Sequence, residues 1–363
     1  MKSLNKTKSH HVWLKETSLV IEFEKPVNII STSQLNGGLQ KNIKAIFNNQ
    51  IPFVNQATEL PGGSVGAYLA LTAKELNLDP QKSAGLLTSA SMENVAMEKL
   101  FFQDLTVEAY VTGGINVNGG RAGDPASYYE QDGNFIPLGG TINILLYINA
   151  NLTPEALVKS VITATEAKTV ALQELVAPSQ YSTGLASGSG TDGIIVACNP
   201  QSSMTLTDAG LHSKLGELIG QTVISATKRA LERETGLSQK SQYNVLARLK
   251  RYKIAEGILE KRFAAKYPNY ANQTRYREAL NCLAQRDEWI YLASALIHIQ
   301  DQVNWGLLPY RQALMTTKRL LVSSLGQKFD FTNVSNRFSL LDYLIEAINA
   351  TIYHNLTKDS QAL

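Results

Sequence analysis

The chain has 363 residues, of which 44% are hydrophobic and 18% are charged, and its formal net charge is only +3. This composition is typical of a globular protein with one large domain or two ordinary ones, and so small a net charge does not indicate a nucleic-acid partner or a membrane surface. Two distant cysteines, Cys198 and Cys282, indicate neither a disulfide framework nor a zinc site and fit a reducing cytoplasm.

The N-terminal segment is polar and ends in His10-His11. It has no apolar stretch of signal-peptide length, and no apolar run in the chain approaches the roughly 20 residues that span a bilayer. The sequence therefore predicts a cytoplasmic protein without a membrane span. We expect the two histidines to be solvated in a polar tail rather than to bind a metal.

The first predicted elements are strands. Residues 13–14 and 19–23 predict a β-hairpin, and Pro26 introduces a third strand over residues 27–30. The segment that follows contains Asn36-Gly37-Gly38, which predicts a sharp turn or a close backbone approach to a ligand.

A helix is predicted over residues 64–76, after the breaker Pro61-Gly62-Gly63. An apolar run then ends in three hydroxyl side chains, Thr88, Ser89 and Ser91. They predict either a strand end that faces a cleft or ordinary turn residues.

Residues 107–111 alternate apolar and polar side chains and predict a half-buried strand, with Glu108 and Tyr110 outward. The glycine-rich segment 112–125 follows, in which Arg121 and Asp124 are the charged residues. It lacks both a Walker sequence and a G-x-G-x-x-G that opens a helix, so nucleotide binding is not supported.

Gly139-Gly140 precede a predicted buried strand with its centre at residues 144–148. A long helix begins at Thr153, with Pro154 at its first position, and a second buried strand covers residues 194–198. Strand, helix and strand together indicate an α/β crossover unit. The first part of the chain is therefore predicted to be a mixed sheet with flanking helices.

Two charges interrupt the apolar middle of this long helix. Lys168 lies in the centre of its apolar stripe, and Glu166 points in another direction, so each needs a partner from elsewhere. Each charge is either half of a structural ion pair or part of a functional site. The hydroxyl- and glycine-rich loop 187–192 that follows the helix favours a site.

A second long helix is predicted from Asp208 to about Glu232, with Leu211 on its inner face and His212 in its first turn. His212 is either a general base or a packing residue. Gly236 ends this helix, and glycine is scarce in the helical pattern that follows. We predict an α/β domain over residues 1–236 and an all-helical domain over residues 237–363, whose basic run 248–253 is a solvated helix face rather than an RNA contact.

Five segments in the first two-thirds of the chain, in their order and spacing, resemble the adenosylcobinamide amidohydrolase family over about residues 13–232. They are residues 111–125, 140–144, 163–169, 187–192 and 209–220. The chain departs from the family in having serines at 187 and 189 and the triplet Asn118-Gly119-Gly120. The region after Gly236 has no counterpart in it.

The resemblance implies a corrinoid-remodelling hydrolase that cleaves the amide between aminopropanol and the corrin ring of adenosylcobinamide to give adenosylcobyric acid for cobalamin salvage. The corrinoid is then the substrate, and no further cofactor is implied. The sequence has no cluster of His, Cys and carboxylates at ligand spacing that would predict a catalytic metal. The alternative is a non-catalytic corrinoid-binding protein whose C-terminal helices dock it to a transporter or another salvage enzyme. A homo-oligomer is left open, and no nucleic-acid partner is expected.

Amide hydrolysis requires a nucleophile, a base, an acid for the leaving amine and donors for the oxyanion. Candidate bases are Glu166, Asp192 and His212, and candidate nucleophiles are Thr191, Ser189 or an activated water. Lys168 is a candidate acid or electrostatic stabiliser. The residues expected to bind substrate are Asn36, Gly37, Ser91, Asn116, Arg121, Asp124, Thr141, Asn143, Thr165 and Ser189.

Overall fold

The computed structural model describes residues 1–52, 57–126, 141–332, 334 and 339–361. The chain divides into two compact units, Met1–Ser238 and Gln239–Leu363. The first contains a mixed sheet with flanking helices and the second contains helices. This confirms the predicted fold class. The predicted Gly139-Gly140 breaker lies outside the described residues.

In chain order the strands are β1 (Lys2–Lys6), β2 (His10–Lys15), β3 (Ser18–Ser31), β4 (Gly38–Gln50), β5 (Ser83–Thr88), β6 (Ala96–Phe102), β7 (Leu105–Gly113), β8 (Gly119–Gly120), β9 (Ile142–Ile148), β10 (Asn151–Leu152), β11 (Gly188–Ser189), β12 (Gly193–Cys198) and β13 (Thr205–Leu206). The helices are α1 (Val65–Glu75), α2 (Pro154–Glu174), α3 (Lys214–Thr235), α4 (Val245–Leu249), α5 (Glu256–Lys266), α6 (Gln273–Ala284), α7 (Asp287–Asn304), α8 (Tyr310–Leu325) and α9 (Leu340–Gln361).

Among the described residues, nine strands form one sheet in the order β1-β2-β3-β12-β9-β7-β6, and β4 joins β3 to β5. Strand β9 pairs in parallel with β12, and α2 connects them, so the predicted crossover unit is confirmed. Helices α2 and α3 bury their apolar sides on one face of the sheet, where they share a core with β7, β9 and β12. This packing brings the part of α2 that carries Lys168 to the loop that precedes β12.

The prediction that Pro26 begins a new strand was wrong. Strand β3 continues through Pro26, and its pairing with β4 shifts register between Glu22 and Val27. Proline cannot donate to a strand ladder and is therefore tolerated in strands at such irregularities. The first half of β3 pairs with β2 and the second half with β12, so one long strand connects the N-terminal hairpin to the centre of the sheet.

The N-terminal histidines are not in a solvated tail, which corrects a second prediction. His10 begins β2 and is fully buried, and its Nε2 lies 3.0 Å from Oε2 of Glu108. Glu108 and Tyr110 also face the interior, so the prediction that β7 is half-buried was wrong. Tyr110 Oη donates to Glu108 Oε2 at 2.8 Å. Lys99 Nζ lies 2.9 Å from Oε1 of the same carboxylate. Strand β7 can be buried on both faces because His10, Lys99 and Tyr110 satisfy the Glu108 carboxylate.

This cluster predicts acid sensitivity. Burial raises the pKa of Glu108, but hydrogen bonds from His10, Lys99 and Tyr110 outweigh it and lower the pKa to about 2. A folded-state pKa below the unfolded value, near 4.5, gives stability that is complete above that value and is lost as the pH falls towards 2. We therefore expect the free energy of unfolding to fall by about 2 kcal/mol between pH 7 and pH 3 because of Glu108.

Urea unfolding at pH 7 and pH 3 tests this expectation when the unaltered chain is compared with Glu108→Gln. The variant should be less stable at pH 7, because its neutral amide is a weaker partner for Lys99, and should lose less stability on acidification. Equal losses in the two chains would contradict the assignment.

Helix α3 begins later than predicted. Its N-cap is Ser213, whose Oγ accepts from the Gly216 N–H, whereas Asp208 forms a surface ion pair with Lys159. His212 therefore precedes the helix and is exposed, and Leu211 is exposed instead of lying on the inner face. The predicted end is confirmed, since Gly236 caps α3 in the left-handed conformation with φ 71°.

The basic run 248–253 is not one solvated helix face. Helix α4 ends at Leu249, and Arg251 is buried in an ion pair with Asp301, at 2.6 Å between Nη2 and Oδ2. Trp289 is part of the buried core of this unit, whereas Tyr291 and Trp305 are exposed. Within the described residues, none of the helices combines the length and apolar composition needed to cross a lipid bilayer.

Candidate active site

A large cavity opens at the edge of the sheet where β9 and β12 begin and β3 and β5 end. Its volume is about 1150 Å³, above the roughly 300–1,000 Å³ of ordinary small-molecule sites, so it suits a large ligand. Part of its lining is apolar and comes from Ile51, Pro52, Ala57, Leu60, Val65, Leu69, Leu86 and Leu87. The polar part comes mainly from α2 and the two glycine-rich loops.

The two glycine-rich loops converge at this cavity. Strand β8 of the first loop pairs antiparallel with β11 of the second, with Gly120 opposite Gly188. Two further hydrogen bonds fasten the loops: Ser187 N donates to Gly120 O at 2.8 Å, and Ala122 N donates to Ser187 Oγ at 2.9 Å. The loops therefore form one wall beside α2.

Lys168 contacts the cavity from α2 and forms an ion pair with Asp192. The lysine side chain is 10% exposed and that of Asp192 is 17% exposed. Oδ2 of Asp192 also accepts from Ser189 N at 3.0 Å, while Oδ1 accepts from Ser189 Oγ at 2.6 Å and from Ile142 N at 3.0 Å. Four donors thus hold the carboxylate. Lys168 is both half of an ion pair and part of the cavity lining, so the two alternatives that the sequence left open for this residue apply together.

Gly188 makes this ion pair sterically possible. A Cβ at Gly188 would lie 2.3 Å from Asp192 Oδ2 and 2.7 Å from Lys168 Nζ. Both distances are shorter than any normal carbon contact, so only glycine allows the loop to approach the charged pair this closely.

A pair of hydroxyl groups lies next to Asp192. Thr191 Oγ1 and Thr141 Oγ1 are 2.6 Å apart, and Thr191 N donates to Ser189 Oγ at 3.4 Å. Both threonines line the cavity. Thr141 directly precedes β9 and Thr191 lies in the loop before β12, and they meet because the two strands are parallel neighbours.

Buried amides extend the polar lining into the sheet. Asn143 Nδ2 donates to Asn48 Oδ1 and to Leu87 O, both at 2.8 Å, and Asn48 Nδ2 donates to Thr112 Oγ1 at 2.8 Å. Asn143 lines the cavity, so this network fixes the orientation of an amide group that faces the cavity.

Arg121 and Asp124 also line the cavity. Burial raises the pKa of Asp124, but hydrogen bonds from Ser179 Oγ, at 2.5 Å, and from the Arg121 N–H, at 2.8 Å, hold it below its usual value. The carboxylate therefore stays charged and closes the turn that carries the Arg121 side chain.

Of the residues predicted from sequence to form the site, the structure brings together in the cavity lining Lys168, Thr191, Asp192, Thr165, Ser189, Arg121, Asp124, Thr141 and Asn143. It does not bring Glu166, His212, Asn36, Gly37, Ser91 or Asn116 into that lining. Glu166 is exposed on α2, where water can solvate its carboxylate, which corrects the expectation that it needs a partner from elsewhere. Asn36 instead ties its turn to Pro80 O and Ser83 O, at 2.8 and 2.7 Å.

Ser91 also has a local role, since its Oγ caps a short 3₁₀ helix by accepting from Glu93 N at 3.3 Å. Residues that sequence reasoning missed at the cavity include Asn118, Gly188, Tyr181, Thr169 and Ser33. Asn118, two positions after the chosen Asn116, belongs to the same motif, and only the tertiary structure shows which of the two lines the cavity.

Comparison with known proteins agrees with the resemblance. A sequence model of the adenosylcobinamide amidohydrolase family matches residues 1–239. An uncharacterized protein of Methanocaldococcus jannaschii is 34% identical over 228 residues, covering 59% of this chain and 85% of that protein. The adenosylcobinamide amidohydrolase of Methanosarcina mazei is 30% identical over 227 residues, covering 60% of this chain and 96% of that protein.

Among solved structures, the PH0078 protein from Pyrococcus horikoshii OT3 aligns with 61% of this chain and 82% of its own, at 13% identity and a TM-score of 0.33, too low to support any conclusion. The family match is different in kind, because it covers well over half of the chain and contains every element that lines the cavity. This chain therefore belongs to the adenosylcobinamide amidohydrolase family.

Proposed function

We propose that the chain hydrolyses the amide between aminopropanol and the corrin ring of adenosylcobinamide and releases adenosylcobyric acid for cobalamin salvage in the cytoplasm. Family membership and the name of the Methanosarcina mazei relative support this proposal. The observation that carries it is the Lys168 ammonium, held by the partly buried carboxylate of Asp192 at the wall of a cavity large enough for a corrinoid.

Asp192 acts in this proposal as a positioning residue rather than as the base. A carboxylate has about four lone-pair sites, and four donors already occupy those of Asp192. An ammonium has three N–H donors, so the contact with Asp192 leaves two of those of Lys168 for substrate. Lys168 then stabilises the negative charge that develops on the amide oxygen as the nucleophile adds.

The attacking oxygen belongs either to Thr191 or to a bound water. Its addition to the carbonyl carbon gives a tetrahedral intermediate, and collapse of this intermediate breaks the C–N bond. The proton of the attacking hydroxyl or water passes to the leaving aminopropanol nitrogen. If Thr191 attacks, an ester forms on its Oγ1 and a water then hydrolyses it, so both routes consume one water and give the same products. The Thr141 hydroxyl, 2.6 Å from Thr191 Oγ1, orients the attacking group in either route.

Purified chain incubated with adenosylcobinamide should yield adenosylcobyric acid and aminopropanol in equal amounts, measured by chromatography and an amine assay. Adenosylcobyric acid, which lacks the cleaved amide, is the control and should remain unchanged. Tight binding of adenosylcobinamide without product over hours would contradict the proposal and indicate a non-catalytic corrinoid-binding protein.

A further inference from the structure

The turn between α7 and α8 exposes an unusual group of apolar side chains. Trp305 is 56% exposed, Leu307 is 66% exposed and Leu308 is 36% exposed. Single exposed apolar residues are normal on a protein surface, but three within four residues at the tip of a helical hairpin indicate a contact surface. We call residues 305–308 the apolar tip.

The apolar tip is held in one conformation by its own hydrogen bonds. Trp305 N donates to Asp301 O, Gly306 N to Val303 O, and both Leu307 N and Leu308 N to Gln302 O, at 2.8–3.2 Å. Pro309, the next residue, has no N–H. Every backbone N–H from 305 to 309 is thus satisfied or absent, which lowers the desolvation cost of placing the turn in a less polar medium.

Basic side chains lie around the apolar tip. Tyr252 Oη donates to Asp301 Oδ1 at 2.6 Å and accepts from Asn304 Nδ2 at 3.5 Å, which places the turn with Lys250 and Lys253 against the end of α7. Both lysines are exposed, as is Arg311 in the first turn of α8. Asp301, an acid at this end of α7, is neutralised by its ion pair with Arg251.

The small net charge of the whole chain conceals an uneven distribution. The unit Gln239–Leu363 contains 17 Lys and Arg and 10 Asp and Glu, a net charge of +7, whereas Met1–Ser238 contains 17 and 21, a net charge of −4. The apolar tip therefore belongs to the basic unit. An anionic bilayer surface binds exposed Trp and Leu side chains that lie next to Lys and Arg.

We propose that the α7–α8 turn docks the helical unit on an anionic lipid surface. Trp305, Leu307 and Leu308 enter the headgroup layer, and Lys250, Lys253 and Arg311 lie at the level of the lipid phosphates. The charge complementarity favours lipid over a second copy of the chain, since two basic tips would repel each other. It is the leucines that favour lipid over RNA, because they have no group that contacts a phosphate or pairs with a base.

Trp305 reports on this contact directly. The other two tryptophans, Trp13 and Trp289, are buried at 4% and 1% exposure, so a change in emission on binding arises from Trp305. The full chain should bind vesicles of phosphatidylcholine containing phosphatidylglycerol, with a blue shift of Trp305 emission and quenching by brominated acyl chains. Binding should weaken at 0.5 M salt and be much weaker to pure phosphatidylcholine vesicles.

Leu307→Ser should lower partitioning to the anionic vesicles by about tenfold. Val322→Ser is the matched control, because Val322 is an exposed apolar residue near the other end of α8, and it should leave partitioning unchanged. Equal binding by the two variants would overturn the proposal, as would vesicle binding without a shift in Trp305 emission. Concentration-dependent dimers or RNA binding that Leu307→Ser abolishes, in the absence of vesicle binding, would assign the tip to another partner and also overturn it.

Discussion

Replacing Lys168 with methionine is expected to lower the turnover of adenosylcobinamide by about a hundredfold or more, the usual effect of removing one electrostatic or acid–base group. Methionine keeps much of the volume of the lysine stem and removes the charge. The substitution also leaves the Asp192 carboxylate without its cation. Breaking a buried pair from one side is costly, so we expect a loss of about 3 kcal/mol in the free energy of unfolding.

The two effects separate in a double variant. Lys168→Met combined with Asp192→Asn removes both charges and should recover much of the lost stability, because no uncompensated charge remains. Turnover should not recover, since the ammonium is still absent. Unfolding by urea and single-turnover rates, both measured on the folded chains at the same temperature, distinguish the catalytic contribution of Lys168 from its contribution to stability.

Lys159 is the matched control. It lies on the same helix and forms an ion pair with Asp208 in which both side chains are about half exposed. Lys159→Met should therefore change stability by less than about 1 kcal/mol and leave turnover unchanged. If Lys168→Met turned over substrate at the normal rate while folded, Lys168 would have only a structural role.

Replacing Gly188 with alanine should be nearly as damaging, although it removes no functional group. The new methyl would lie 2.3 Å from Asp192 Oδ2 and 2.7 Å from Lys168 Nζ, so the loop or the ion pair must move. Overpacking of this kind costs about 1–3 kcal/mol. A displacement of the ammonium by an ångström would lower turnover by about a hundredfold, because the stabilising charge would no longer meet the developing oxyanion.

Gly190 offers the control for this substitution within the same loop. A Cβ at Gly190 would meet no protein atom within 4 Å, so Gly190→Ala should retain the stability of the unaltered chain and lose far less activity. Melting temperatures and turnover of the two alanine variants provide the comparison. Equal effects at both positions would mean that the loop tolerates no side chain anywhere, and that the close approach at Gly188 has no special importance.

Several features of this protein follow from local sequence pattern. The continuous apolar runs of β9 and β12 and the start of α2 at Thr153 depend on neighbouring residues, and they were predicted correctly. The end of α3 at Gly236 is equally local, because a left-handed cap favours glycine. The position of Lys168 in an apolar stripe also follows from helical periodicity, and the structure buries it as expected.

The sequence pattern could not predict the start of helix α3, because two local signals for a helix N-terminus lie close together. Asp208 and Ser213 are both good N-cap residues, and the choice between them moved His212 from the first turn of a helix to an exposed connection. Helix α3 begins where its apolar side can pack on the sheet, which places Leu215 in the core and leaves Leu211 in solvent. Packing against distant strands decided the boundary.

The tertiary structure alone determined which residues meet. Asp192, which was a candidate base, holds Lys168 across a loop whose two glycine-rich segments are joined by the pairing of β8 with β11. His10 looked like part of a polar tail because its partner, Glu108, is 98 residues away in the chain. The periodicity of apolar residues predicts which side chains of a helix or strand face the interior. It contains no information about which distant partner makes burial of a charge favourable, and that is determined only when strands far apart in sequence become neighbours in one sheet.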